Sequence, residues 1–382
     1  MPTFVGEFTL SRLERVVSGP GTLSTIAGEL DRLGRSRAVV VTGRTLGGSA
    51  LIGRVQAVLG HRCVEVFTGA RQHVPSATVQ ALTALLRDVN ADALVSFGGG
   101  SPIDAAKAAV HAIMADERGV AEPAARALVH IAVPTTLSAG EFTAIAGITD
   151  ERSRIKRAVS DPRLAPSVVI TDPLLTLETP DWLWAATGIR AMDHAVESIY
   201  SVRHHPFSDA LASKAIALLI RHLPGSLRCD DPERMNHRGH CQLAAWLSVY
   251  GISNTGFGLS HAFGHQIGPR WDVPHGFTSC IMLPHAMRFM ADVAPERFGP
   301  IADGLGVAFD PEAPRQSARA CASRVAEFIA RFDVPVRLRD AAVPEHEAVD
   351  IVAVVHDAME RADVVGRPLG VDELASLMSA AY

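Results

Sequence analysis

Hydrophobic residues in the first part of the chain alternate between two spacings. Short apolar runs at 37–43, 63–69, 93–101 and 127–136, the first of them β-branched, are typical of buried parallel strands. Between them, apolar residues recur at helical spacing over 50–60, 76–90 and 102–115. Strand and helix signals that alternate in this way predict a doubly wound, mostly parallel sheet.

The pattern changes near residue 180, after which helical spacing dominates and β-branched runs become scarce. The predicted helices are 182–202, 207–222, 236–252, 278–294, 314–331 and 346–362. We therefore expect an α/β domain over residues 1–178 and an all-α domain over residues 179–382, joined near the segment 172–180.

Composition narrows the classes of function. The chain has 382 residues, of which 48% are hydrophobic and 20% charged, with a net charge of −5. This negative net charge does not predict the basic surface that binds nucleic acid. No apolar run reaches the roughly 20 residues needed to cross a bilayer. Five cysteines without a C-x-x-C pair, and an N-terminus without an apolar signal sequence, predict a cytoplasmic protein with reduced thiols.

Three glycines separate the third predicted strand from the helix that follows. Gly98, Gly99, Gly100 and Ser101 stand where a backbone can approach a pyrophosphate and a helix N-terminus offers free N–H groups. The spacing is not G-x-G-x-x-G, so a tight strand-to-helix turn is the alternative interpretation.

Two further strand ends carry polar residues that suit a nucleotide. Thr135, Thr136 and Ser138 follow the fourth predicted strand and either donate to the cofactor or serve as turn residues. Gly43 and Arg44 follow the first predicted strand, where an NAD-selective site usually carries an acidic residue. This favours NADPH, or use of both NADPH and NADH, unless Arg44 is simply solvated.

Histidines concentrate in the segment 258–276. His261 and His265 lie one helical turn apart, and His275 follows after a predicted turn carrying Gly268, Pro269 and Pro274. With His194 on a separate predicted helix, they suggest a converging site. Neutral imidazoles bind zinc and iron(II), and each also transfers protons near neutral pH.

These motifs together resemble the iron-containing (group III) alcohol dehydrogenase family over essentially the whole chain. The matching segments are GGGSPIDAAK (98–107), PTT (134–136), DP (172–173), GIRAMDHAVES (188–198) and the histidines 261, 265 and 275. The resemblance implies the dehydroquinate synthase-like architecture, with a dinucleotide-binding domain, a helical domain and a catalytic cleft between them. It also implies NAD(P)-dependent interconversion of carbonyls and alcohols, and a homodimer.

The family's metal site is matched in three of four positions. By resemblance, His194, His261 and His275 correspond to ligands of a divalent ion (Fe or Zn), and His265 to a histidine beside the nicotinamide. The fourth ligand, an Asp four residues before His194, is replaced by Arg190. Asp193 is adjacent to His194 and about 100° around the helix, so it does not simply substitute.

A guanidinium at this position resembles the metal-independent branch of the family, the maleylacetate reductases. The resemblance implies a small oxo-acid substrate, catalytic roles for Arg190 and the four histidines, and cofactor contacts from Asp104 and Lys156. The segment 273–285 is more similar to the alcohol dehydrogenases, so a metal-dependent alcohol dehydrogenase or aldehyde reductase is the alternative. Lyases or synthases on the related scaffold, and a silent binding protein, fit the residues less well.

Overall fold

The computed structural model describes residues 7–116, 128–153 and 155–382. Contacts divide the chain into two compact units, one over 11–179 and one over 180–382 together with the segment ending at Leu10. Ala127, the first residue of the fourth predicted strand, lies outside the described residues. Across the described ranges, no helix combines the length and apolarity needed to cross a membrane.

The first unit contains a parallel six-stranded sheet, as the strand–helix alternation predicts. Its strand order is β1–β8–β5–β4–β2–β3, and every neighbouring pair is parallel. The strands are β1 (Arg15–Ser18), β2 (Ala38–Gly43), β3 (Cys63–Ala70), β4 (Ala93–Gly98), β5 (Val129–Pro134) and β8 (Val168–Thr171).

Helices cover both faces of this sheet. They are α1 (Ile26–Arg32), α2 (Arg44–Gly47), α3 (Ala50–Leu59), α4 (Ser76–Asp88) and α5 (Gly100–Asp116). Val40 belongs to one core cluster with Val55 of α3, whereas Val39 belongs to a second with Leu82 of α4. Adjacent residues of one strand therefore face opposite layers, which confirms the doubly wound arrangement.

A two-stranded antiparallel hairpin stands apart from the main sheet. It consists of β6 (Ile145–Asp150) and β7 (Ile155–Ser160). We predicted neither this hairpin nor the strands β1 and β8. The latter two have four residues each, too few for a period-2 pattern to stand out.

The second unit is helical. Its helices are α6 (Asp181–Tyr200), α7 (Pro206–Ser226), α8 (Arg234–Val249), α9 (Ile252–Thr255), α10 (Leu259–Trp271), α11 (His275–Val293), α12 (Gly299–Leu305), α13 (Pro314–Ile329), α14 (Glu345–Ala348), α15 (Val352–Ala362) and α16 (Val371–Ala380). Every residue of α6 from Trp184 to Tyr200 is buried, so this helix runs through the core of the unit.

The helical unit differs from the prediction in several details, among them α12 and α16, which lie outside every predicted helix. Gly268 and Pro269 lie inside α10, and the turn after it is formed by residues 272–274, with Asp272 in the left-handed region. Helix α11 starts at His275, three residues earlier than predicted, because Pro274 is compatible with a helix start. The predicted helix 346–362 is interrupted by a 3-10 turn at Val349–Ile351.

Candidate active site

The predicted cofactor residues of the first unit come together at the carboxyl ends of three neighbouring strands. Arg44 follows β2, Gly99 and Gly100 follow β4, which ends at Gly98, and Thr135 follows β5. Thr135 N donates to Gly98 O at 2.9 Å, and a Cβ on Gly100 would lie 3.4 Å from the Ser138 side chain. The chain reverses direction across the sheet here, since β3 and β4 flank β2 on opposite sides, and such points bind nucleotides.

Glycine is required at the first position of this loop. Gly98 has φ +139, and a Cβ there would lie 3.0 Å from Pro102 Cγ and 3.2 Å from Leu46 Cδ1. Two residues later, the 17-residue helix α5 begins at Gly100. Its first N–H groups and positive dipole end suit a cofactor diphosphate, so the loop fits the group that the sequence predicts.

We expect Gly98→Ala to raise the dissociation constant for NADPH roughly tenfold, because a side chain at this φ strains the loop by about 1–3 kcal/mol. Gly53→Ala is the matched control, since a Cβ at Gly53 on α3 meets no atom within 4 Å. Fluorescence titration with NADPH checks both variants. A Gly98→Ala dissociation constant within twofold of the parent would contradict the assignment.

Asp104 and Lys156, the other two predicted cofactor residues, both reach Gly147 of the hairpin. Asp104 Oδ2 accepts from Gly147 N at 3.2 Å, and the Lys156 side chain covers the Gly147 Cα. Lys107, one turn after Asp104, is fully buried and donates to Thr143 Oγ1 and Ile145 O, each at 3.0 Å. Lys107 therefore ties α5 to the hairpin, and the cofactor contacts of Asp104 and Lys156 stay predictions.

In the helical unit, four polar residues form a stripe along one face of α6. Arg190, Asp193, His194 and Glu197 have the spacing i, i+3, i+4 and i+7, and all four are buried. A polar stripe on a fully buried helix needs partners for its hydrogen-bonding groups. Helices α10 and α11 supply them.

The four predicted histidines lie close together. The ring centroids of His194 and His261 are 4.8 Å apart, and those of His261 and His265 are 6.1 Å apart. The rings of His265 and His275 are parallel, with centroids 5.3 Å apart. Phe257 stacks on His261 at 4.8 Å and thus gives the cluster an apolar wall.

Arg190 contacts the residue that opens α11. Its Nη2 lies 2.6 Å from His275 Nε2, and its Nη1 donates to Ser279 Oγ at 3.0 Å. Because a guanidinium is only a donor, His275 Nε2 is the acceptor and carries no proton in this contact. Nε2 of His275 is therefore engaged by Arg190.

Two buried carboxylates lie beneath Arg190. Asp193 Oδ2 accepts from Ser279 Oγ at 2.6 Å and from Ser260 Oγ at 2.8 Å, and lies 3.9 Å from Arg190 Nη1. Burial raises the pKa of Asp193 well above its ordinary value, and Glu197 adds to the rise while Arg190 opposes it. Burial likewise raises the pKa of Glu197 to about 7. Burial therefore disfavours a charge on either carboxyl group, and the nearby Arg190 guanidinium opposes this effect at both.

Glu197 determines the orientation of His261. Its carboxylate accepts from Gly258 N at 2.6 Å, Ser260 N at 2.7 Å and His261 Nδ1 at 2.7 Å. Burial, and then Arg190, lower the pKa of His261 well below its ordinary value, so the ring is neutral. With the proton on Nδ1, Nε2 is an acceptor, and no described residue hydrogen-bonds to this buried atom.

Asp193, Glu197 and His261 also form a cluster in which potential metal-ligating atoms lie within 4.8 Å of one another. The hydrogen bonds of this cluster come from hydroxyl, amide and imidazole donors. The same atoms therefore serve as an internal hydrogen-bond network without a cation.

Sequence reasoning did not assign Asp193 and Glu197 to the site, although both lie in the segment 188–198. The sequence argues only against Asp193 as the replacement for the missing metal ligand, because it is about 100° from His194 around the helix. It nevertheless contacts α10 and α11, since a buried helix is surrounded by neighbours. The spacing of Arg190, Asp193 and Glu197 at i, i+3 and i+7 is the signal that identifies them.

Comparisons with known proteins agree over the whole chain. Residues 14–173 match the iron-containing alcohol dehydrogenase family, and residues 184–382 match the C-terminal domain of the same Fe-containing family. A maleylacetate reductase of Sphingobium indicum is 35% identical over 292 residues, covering 76% of this chain and 77% of that protein. A 1,3-propanediol dehydrogenase of Citrobacter freundii is 32% identical over 338 residues, covering 86% and 87%.

Solved structures agree with these relatives. The crystal structure of a maleylacetate reductase from Agrobacterium tumefaciens superimposes with a TM-score of 0.83 at 26% identity, covering 100% of this chain and 99% of that one. The glycine loop, the histidine cluster and these matches lead to one assignment. The chain belongs to the iron-containing alcohol dehydrogenase family and is an NAD(P)-dependent oxidoreductase.

Proposed function

We propose that this protein is an NAD(P)H-dependent reductase of maleylacetate or a closely similar small oxo-acid, and that it works without a metal ion. The observation that carries the proposal is Arg190, which donates to His275 Nε2 from the helix position where the metal-dependent enzymes carry a ligand. The similarity to maleylacetate reductases at up to 35% identity supports the same substrate class.

The residues at the histidine cluster do not fit a divalent ion beside Arg190. At ~4 Å and an effective dielectric constant of ~20, each unit of like charge costs about 4 kcal/mol, and a divalent ion doubles this cost. Arg190 cannot lose its proton to relieve the repulsion, and its Nη2 engages the lone pair that His275 would offer. The proposed reduction therefore involves no metal ion.

Arg190 supplies the positive charge that reduction of an enone needs. NAD(P)H, when held by the glycine loop, would supply the hydride for the olefinic carbon β to the ketone. The electron pair of the double bond then moves onto the ketone oxygen, and Arg190 stabilises the resulting enolate. Ser279 and His275 hold the guanidinium in place, and a proton added to the α-carbon completes the saturated oxo-acid.

His265 is the proposed proton donor. Its ring is partly exposed and lies parallel to that of His275, whereas His261 is neutral and presents an acceptor. His261 therefore suits a substrate hydroxyl or carboxylic acid donor, and His275 suits orientation of Arg190. Neither ring donates to the developing oxyanion in this arrangement.

The test is the rate of NADPH and NADH oxidation with maleylacetate before and after exhaustive chelation. We expect turnover to survive chelation, because the charge at the site belongs to the chain. Zinc or iron(II) added back afterwards should raise the rate less than twofold. Turnover that chelation abolishes and metal restores would overturn the metal-independent reading.

The second candidate function is a metal-dependent alcohol dehydrogenase. The similarity to 1,3-propanediol dehydrogenase favours it. Asp193, Glu197 and His261 would supply the ligands, and a metal ion there would have to overcome the charge of Arg190. Turnover of small alcohols or aldehydes that needs zinc or iron(II), together with inactivity toward maleylacetate, would decide for it.

A further inference from the structure

A second cluster of histidines lies outside the candidate active site, in a groove between α7 and α8. The groove encloses about 360 Å³. The residues that line it include Lys214, Leu218, Arg221, His222, Asn236 and His240. Both helices belong to the helical unit, and nothing in the proposed reduction uses this groove.

Helical spacing puts the cationic side chains along one edge. Lys214, Leu218 and Arg221 follow i, i+4 and i+7 on α7, and Asn236 and His240 follow i and i+4 on α8. The two cationic side chains on α7, two helical turns apart, thus lie across the groove from the amide and the imidazole on α8.

The groove has an excess of positive charge in a chain whose net charge is −5. None of its described lining residues is acidic. In the part of the chain that the structure describes, neither Lys214 nor Arg221 forms an ion pair. Asp231, which is not among these lining residues, lies 3.8 Å from Nε2 of the neighbouring His237.

His222 forms the floor of the groove and is only 7% exposed. Its Nδ1 lies 2.8 Å from His237 Nδ1, so one of these nitrogens donates to the other. Its ring stacks on His240 with centroids 4.2 Å apart. When His237 is the donor, the proton of His222 is on Nε2, which no described residue hydrogen-bonds.

The same positive charges also act on His222. Burial, and then His240, His237, Arg221 and Lys214, lower its pKa to about 4. An anion in the groove would offset these charges. The stacked, nearly parallel rings of His222 and His240 do not aim their nitrogens at one point, so a metal ion fits less well.

We propose that this groove is a binding site for a small phosphate-bearing anion. Lys214 and Arg221 would pair with the phosphate oxygens, while Asn236 and the Nε2–H of His222 would donate to them. The phosphate is either free or carried by a phosphomonoester. The site is independent of the substrate proposed above, so either proposal can fail without the other.

The experiment is calorimetric titration of the full-length protein with inorganic phosphate, in a phosphate-free buffer and with NADPH saturating the glycine loop. We expect one further site per chain. The Lys214→Ala/Arg221→Ala double variant should weaken it roughly tenfold, as expected for the loss of two exposed charge pairs. Arg315→Ala, at an exposed arginine on α13, is the matched control and should leave binding unchanged.

Glycerol phosphate, titrated in parallel, distinguishes the two sources, since tighter binding than inorganic phosphate identifies a phosphomonoester. Unchanged NADPH affinity in the double variant shows that the fold is intact. The proposal is overturned if phosphate does not bind under these conditions, or binds the double variant as tightly as the parent. Zinc binding that the double variant keeps and His240→Ala loses would overturn it in favour of a metal site.

Discussion

Replacing Arg190 with alanine is expected to lower kcat/KM for maleylacetate by at least a hundredfold. Removing a single preorganised donor at a developing oxyanion costs about 2.7–4 kcal/mol, or roughly 10²–10³ in kcat. Arg190 is 5% exposed and held by Ser279 and His275, so water does not readily take its place.

Steady-state kinetics with NADPH and maleylacetate, at equal fractions of folded protein, measure this effect. Arg190→Lys keeps the charge but not the fork of donors, so we expect it to recover only part of the lost rate. Arg228→Ala, which removes an exposed arginine, is the control and should leave kcat/KM unchanged. A loss below threefold in Arg190→Ala would show that Arg190 does not stabilise the transition state.

Glu197→Ala is expected to lower the free energy of unfolding by about 3–5 kcal/mol. The change leaves the N–H groups of Gly258 and Ser260 and the Nδ1–H of His261 without their acceptor in a buried site. Each buried donor without a partner costs about 1–3 kcal/mol. In the same variant, no carboxylate holds the proton of His261 on Nδ1. The ring can then adopt either tautomer, so kcat should fall in the protein that remains folded.

Urea unfolding followed by circular dichroism gives the free energy of unfolding for each variant. Glu197→Gln preserves an acceptor oxygen and should lose less than half as much stability as Glu197→Ala. Glu233→Ala, at an exposed position before α8, should change stability by less than about 0.5 kcal/mol. A loss below 1 kcal/mol in Glu197→Ala would contradict the network described here.

The parts of the fold that sequence predicts are those whose pattern repeats. β2 and β4 are nearly continuous apolar runs that end in glycine, and the long helices repeat their apolar spacing over several turns, so both signals are clear. The hairpin of β6 and β7 depends instead on contacts with α5 through Lys107 and Asp104, which no local pattern reveals. Short strands such as β1 form because β8 lies beside them.

The candidate site likewise contains residues that the sequence identifies and residues that only the tertiary structure identifies. His194, His261, His265 and His275 are recognisable because their residue type is rare and their spacing regular. Asp193 and Glu197 are not recognisable in this way, because acidic residues on a helix usually face water. Only the burial of both faces of α6 shows that these two carboxylates are internal. The direction of the Arg190 contact, toward His275, depends on tertiary packing as well.

Because Arg190 is part of the chain, the proposed enzyme needs no metal ion to be inserted after folding. In its proposed role, the guanidinium that stabilises the enolate is part of the polypeptide itself. Each folded chain therefore carries this group without a separate step of metal insertion. A bound ion exchanges with competitors according to their relative affinities, and copper or zinc displaces weaker-binding iron(II). A guanidinium on the backbone is immune to such mismetallation. The activity per chain should therefore be the same in iron-starved and iron-replete cells.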